Sequence, residues 1–135
     1  MRQTGDVLIF HIALESDWTA AKQTGEYRIS TLGVTLDEAG FIHASFADQV
    51  ELIAELAYKN ITEPLIVLAL NTTDLAAQVK VEPAPDLNQS FPHIYGPIPT
   101  TAVTNTYPLA RGPAPHHPWT WPHPPTTALP RTTSP

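Results

Sequence analysis

The chain has 135 residues, 13 acidic and 7 basic side chains and a formal net charge of −6, with 0 cysteines. That length suits one domain with a single core, able to bury roughly two-thirds of its unfolded surface without covalent staples. The lack of cysteine excludes disulfides, thiolate metal sites and thiol nucleophiles, and it suits a reducing compartment.

Charge narrows the partners further. Up to Tyr107 all 13 acids face five bases (Arg2, Lys22, Arg28, Lys59 and Lys80), a net −8. Such a surface repels phosphate backbones, and no Lys/Arg cluster offsets it, so nucleic acid is not an expected partner. The start, Met1 to Asp6, reaches an acid before its first apolar run and carries no signal-peptide pattern. No stretch approaches the ~20 apolar residues of a membrane-spanning helix. The expected location is the cytoplasm, away from membranes.

In chain order, Val7 to Ala13 is β-branched and aromatic and predicts a strand with His11 inside it. Ser16 is placed to cap a short helix from Asp17 to Lys22, which Gly25 ends. Tyr27 to Ser30 is a short extended piece, and Gly40 to Ala44 predicts a strand carrying His43. Ser45 then opens the strongest helix, Phe46 to about Lys59, with Val50, Ile53, Leu56 and Ala57 at helical spacing. The unbroken apolar run Pro64 to Leu70 predicts a central strand covered on both faces. Gln78 to Glu82 alternates, which turns Val79 and Val81 inward and Glu82 to the other side. From Pro83 to Pro99 the prolines argue against long regular structure, and Ala102 to Tyr107 suits a closing strand. With strands outnumbering two helices and no βαβ alternation, the expected fold class is α+β, with mostly antiparallel sheets. Nine of the 15 prolines follow Tyr107, among threonines and alanines. Residues 1–109 are therefore the expected domain, and 110–135 an extended, disordered Pro/Thr-rich tail. Its dense patch from His116 to His123 reads first as part of that polyproline-like tail, with contact to a protein partner as the alternative.

Three short stretches are unusual together: Phe10-His11-Ile12, Gly40-Phe41-Ile42-His43-Ala44-Ser45 and Phe91-Pro92-His93-Ile94-Tyr95-Gly96-Pro97. In this order and spacing they resemble domain-of-unknown-function family 952, small bacterial proteins, over roughly residues 7 to 109. Trp18, Gly25, Tyr27, Gln49 and Glu82 also fall where that family places them. The family looks like a distant branch of the ADP-ribosyltransferase fold, in which two small packed antiparallel sheets with flanking helices hold a nicotinamide dinucleotide between them. The resemblance thus implies NAD or a related nucleotide as ligand, with transfer or hydrolysis of its ADP-ribose. It implies His11 on the ribose, His43 at the base or phosphates and Glu82 as stabiliser of positive charge, with Tyr27, Ser45, His93 and Tyr95 lining the ligand.

Taken on their own, these residues leave other roles open. A strand histidine is often a satisfied structural residue, Ser45 suits a helix cap better than a nucleophile, and Glu82 suits a solvated charge. Three imidazoles offer a zinc site in principle, but the domain lacks paired-ligand spacing, and no metal is expected. A non-catalytic binding or regulatory module that keeps the cleft is the alternative to an enzyme.

Overall fold

Strand β1 (Leu8–Leu14) runs directly into helix α1 (Glu15–Thr24). The computed structural model describes residues 7–114 and 117–122. Ser16 lies inside α1 and does not cap it. The position before the helix is Leu14, which makes no side-chain cap, and the Glu15 N–H is satisfied instead by the Pro64 carbonyl at 3.0 Å. Gly25 ends α1 in the left-handed region, as its place after the last helical residue predicts. Three short strands follow, β2 (Glu26–Tyr27), β3 (Ile29–Thr31) and β4 (Val34–Thr35).

A third helix, beyond the two expected, is the single turn α2 (Leu36–Ala39). Thr35 and Glu38 cap it reciprocally, a Thr-x-x-Glu signal visible in the sequence. Strand β5 (Ile42–His43) leads through the 3₁₀ turn Ala47–Gln49 into α3 (Val50–Tyr58), which starts later than Ser45 suggested. The remaining strands are β6 (Leu65–Asn71), β7 (Val79–Ala84), β8 (Gln89–Ile94), β9 (Ile98–Pro99), β10 (Val103–Ala114) and β11 (His117–Thr120).

These strands form one four-stranded sheet, β1-β6-β10-β11, one three-stranded sheet, β5-β8-β7, and the two-stranded ribbons β2-β9 and β3-β4. Every registered pair is antiparallel. β6 lies between β1 and β10 and is buried throughout its apolar run. Its side chains alternate between two cores. Ile66, Leu68 and Leu70 join Ile9, Trp18 and Tyr27 on one face, while Leu65, Val67 and Ala69 join Phe10, α3 and Trp119 on the other.

The folded part does not stop at 109, and residues 110–114 and 117–122 are not an extended tail. β10 runs through Leu109 to Ala114, and β11 folds back along it. Trp119 and Trp121 are 3% and 4% exposed, within the core that α3 covers. The Trp119 indole N–H donates to Glu55 at 3.0 Å, the Arg111 guanidinium lies 4.1 Å over the Trp119 ring, and Trp121 meets Phe10 edge-on. Two indoles supply the apolar area that the prolines lack, and in an edge hairpin proline removes few ladder bonds. Residues 123–135 and His116 lie outside the described residues, as does the start, 1–6.

The prolines of 83–99 do not prevent regular structure either: Pro83 lies in β7 and Pro92 in β8. Pro92 accepts a hydrogen bond from Ala44 at its carbonyl, so its nitrogen faces the same neighbour. Having no N–H, Pro92 cannot return a bond to Ala44, so the pair keeps one of its two ladder bonds, and the chain leaves this sheet one residue on, where Ser45 pairs with Phe10. Val79 packs inward, but Val81 is 56% exposed because edge strand β7 overhangs the core. Gly96 closes the following turn against Ala77, where an added Cβ would stand 2.8 Å from the Ala77 Cβ. No helix among the described residues is long and apolar enough to cross a membrane.

Candidate functional site

The segment Ile42 to Ser45 joins the two larger sheets. Ile42 and His43 pair with β8, and two residues later Ser45 exchanges both backbone hydrogen bonds with Phe10 of β1, at 2.8 and 2.7 Å. Ser45 is thus a link in a strand and not a helix cap; the Gln49 side-chain oxygen accepts the Phe46 N–H instead. This splice brings His11 of β1 against the backbone of His43, and His43 directly opposite His93 of β8.

The inner part of this seam is closed. His11 Nδ1 lies 2.6 Å from the His43 carbonyl and Nε2 lies 3.0 Å from the Tyr27 hydroxyl. A carbonyl only accepts, so Nδ1 carries the proton, and the Tyr27 hydroxyl donates to Nε2. Both nitrogens are used, and both residues are almost fully buried. Burial lowers the His11 pKa to about 4, against which its bond to the His43 carbonyl is a smaller, opposing effect. Burial likewise pushes the Tyr27 hydroxyl well up. His11 is a neutral strut at pH 7.

His43 occupies the middle. Its N–H donates to the buried Ser30 hydroxyl at 3.3 Å, and its Nε2 is enclosed with no hydrogen-bond partner among the described residues. Burial, followed by repulsion from His11 and His93, lowers its pKa to about 4. The adjoining cavity, lined by His11, Ser30, His43, Ser45 and Tyr58, has a volume of about 10 Å³, room for about one water molecule. Ser45 lines that cavity and is itself buried, so it does not face a nucleotide-sized ligand.

The outer part is open. Side chains of His43, Phe91, His93 and Glu82 share one face of β5-β8-β7, by the alternation of the paired strands. Along β8 this face passes from Phe91, 1% exposed, to Tyr95 just beyond the strand, 37% exposed. His93 Nδ1 lies 2.6 Å from Glu82 Oε1, and the Tyr95 hydroxyl donates to the same oxygen. Those two bonds, Tyr95 first, hold the Glu82 carboxyl below its ordinary range, and Glu82 in turn raises the Tyr95 phenol. An ionised carboxylate only accepts, so His93 donates through Nδ1. Its Nε2 has no partner among the described residues and is not enclosed. Phe41 stacks on the His93 ring, with centroids 4.0 Å apart and planes at 14°, and Lys80 Nζ lies 5.0 Å over the Tyr95 ring.

Phe41 and Lys80 were not among the residues singled out from the sequence. The signal for Phe41 was its place two residues before His43, which puts both on one face of a strand. Glu82 is not an isolated solvated charge. Its carboxylate accepts from both His93 and Tyr95. Among the described residues no group of three or more His, Asp or Glu side chains is placed to hold a metal ion.

An antiparallel α+β fold whose histidines converge from three separate segments defines the class of this protein. The model of a family described as "Protein of unknown function (DUF952)" matches residues 12–106, and the chain belongs to that family. No curated protein matches the chain. Among solved structures, the X-ray crystal structure of protein CC0527 from Caulobacter crescentus is similar. It is 26% identical with a TM-score of 0.69, over 84% of this chain and 94% of that one. A double mutant of CC0527 gives 25% identity with the same TM-score and coverage. Trp119 and Trp121 lie beyond the residues that the family model matches.

Proposed function

We propose that the chain is an ADP-ribosyltransferase-like domain that binds NAD or a related nucleotide on the open face of β5-β8-β7 and transfers or hydrolyses its ADP-ribose. The observation that carries this reading is the convergence of His43, His93 and Glu82, from three separate strands, on one face that opens to solvent. The cavity beside His11 and His43, about 10 Å³, is far too small for a nucleotide, so the ligand belongs outside it. On the open face Phe41 and Tyr95 offer planes for a base, the Glu82–His93 pair offers an acceptor and an imidazole for a ribose diol, and Lys80 offers a cation for phosphate. His11 supports the site from behind and does not grip the ribose, because both its nitrogens are already engaged. Breaking the ribose–nicotinamide bond develops positive charge on the sugar, which a carboxylate opposite it stabilises.

A thermal-shift titration with NAD, ADP-ribose and nicotinamide checks the reading. A ligand at a hundred times its dissociation constant adds about 2.7 kcal/mol, which raises the melting temperature of a domain this small by several degrees. No shift with any of the three removes the proposal. One observation favours a second reading, a binding module without the reaction: the His11–Tyr27 pair spends on the fold the groups that would hold the ribose. In that case the shift appears, but no nicotinamide is released.

A further inference from the structure

We infer that His93, rather than Glu82, is the proton acceptor of this site, acting on a water or alcohol hydroxyl held beside the Phe41–Tyr95 aromatic rim. The site is the one proposed above, and only the identity of the substrate rests on that reading. Each of the three histidines has a different supply of free nitrogen. His11 has none. In His43 the unpartnered Nε2 is sealed from solvent. His93 alone of these three combines a fixed Nδ1–H with an Nε2 that is neither bonded nor enclosed.

The surroundings of His93 fix that arrangement. Glu82 Oε1 draws the ring proton to Nδ1 and so leaves the lone pair on Nε2. Tyr95 donates to the same oxygen, which holds the carboxylate in place from the other side. Phe41, stacked at 4.0 Å, restricts rotation of the imidazole out of the plane in which Nδ1 meets Glu82. With its Oε1 committed to His93 and Tyr95, Glu82 takes part in this proton transfer by positioning the imidazole. This is the carboxylate–imidazole logic by which a base is oriented and its cation stabilised.

The step balances. The hydroxyl O–H bond breaks, its proton forms a new N–H bond at His93 Nε2, and the oxygen keeps the electron pair. The resulting imidazolium is paired with the Glu82 carboxylate. For a nucleotide carrying nicotinamide, that oxygen then bonds to the ribose carbon as the ribose–nitrogen bond breaks, and nicotinamide leaves with the bonding pair.

Two measurements on the full chain decide the matter. Long-range proton–nitrogen correlation spectra, recorded where the ring is neutral, are expected to show His93 protonated on Nδ1, with the proton moving to Nε2 in Glu82→Ala. A parent protein with the proton on Nε2, or a tautomer indifferent to Glu82→Ala, overturns the inference. In nicotinamide release from NAD, His93→Gln is expected to lower kcat by about 100-fold or more with little change in KM, the usual size of general-base catalysis. Equal kcat in parent and His93→Gln overturns it too. Should the parent release no nicotinamide, the enzymatic reading falls by itself, while the tautomer still decides whether Glu82 poises His93.

Discussion

The two halves of the histidine seam use the same side chains in opposite ways. Around His11 every polar contact is closed: one nitrogen binds a carbonyl, the other a buried phenol, and the adjoining cavity takes about one water. Around His93 the contacts stop short, with one ring nitrogen committed to Glu82 and the other left open beside two exposed or half-exposed aromatic rings. The difference separates stability from chemistry. A group whose hydrogen-bonding capacity is used up holds the fold, and a group with capacity to spare is available to a ligand.

Acid should give the largest effect, because it attacks the closed half. Burial holds His11 and His43 at about 4, whereas an unfolded histidine titrates near ~6.5. Between those values the unfolded chain binds more protons than the folded one. Stability is therefore complete above about pH 6.5, falls as pH drops, and the loss from these groups is finished below about 4. Each ring costs on the order of 3 kcal/mol over that window. Urea midpoints that stay flat from pH 7 to 4.5 would show that the seam is not closed.

Ending the chain at Ala110 is expected to cost about 4 kcal/mol, since it strips Trp119 and Trp121 from the core behind Phe10. An unchanged melting temperature would mean that the closed half stands without the β10–β11 hairpin. His11→Ala should cost about 3 kcal/mol, from the cavity it leaves and from a Tyr27 hydroxyl and His43 carbonyl without their partner. The smallest effect belongs to the open half. Glu82→Gln should leave the melting temperature nearly unchanged, and a large drop there would place Glu82 among the structural groups, erasing the contrast.

Much of this layout is legible in the sequence. The apolar run at β6 predicts a central strand, and the three histidine-bearing stretches predict the segments that meet. Period-two alternation places Glu82 on the face away from Val79, and His43 and His93 share that face. The hairpin is missed because composition averages away its two tryptophans. Trp119 and Trp121, two residues apart, carry an alternating signal too short to outweigh the prolines around them. The roles of the histidines are beyond the sequence altogether. Whether an imidazole is strut or base depends on what each nitrogen meets, and His43, 32 residues from His11, supplies the decisive carbonyl.

The splice from Ile42 to Ser45 imposes a rule on chain length. Its four residues serve one sheet with their first half and another with their second, so the peptide of His43 bonds His11 while its ring stands opposite His93. One residue inserted or deleted there would turn the paired residues beyond the cut to the opposite face and break one of the two pairings. Surface turns of this fold are free to lengthen, whereas these four positions allow exchange of side chains but no change in number.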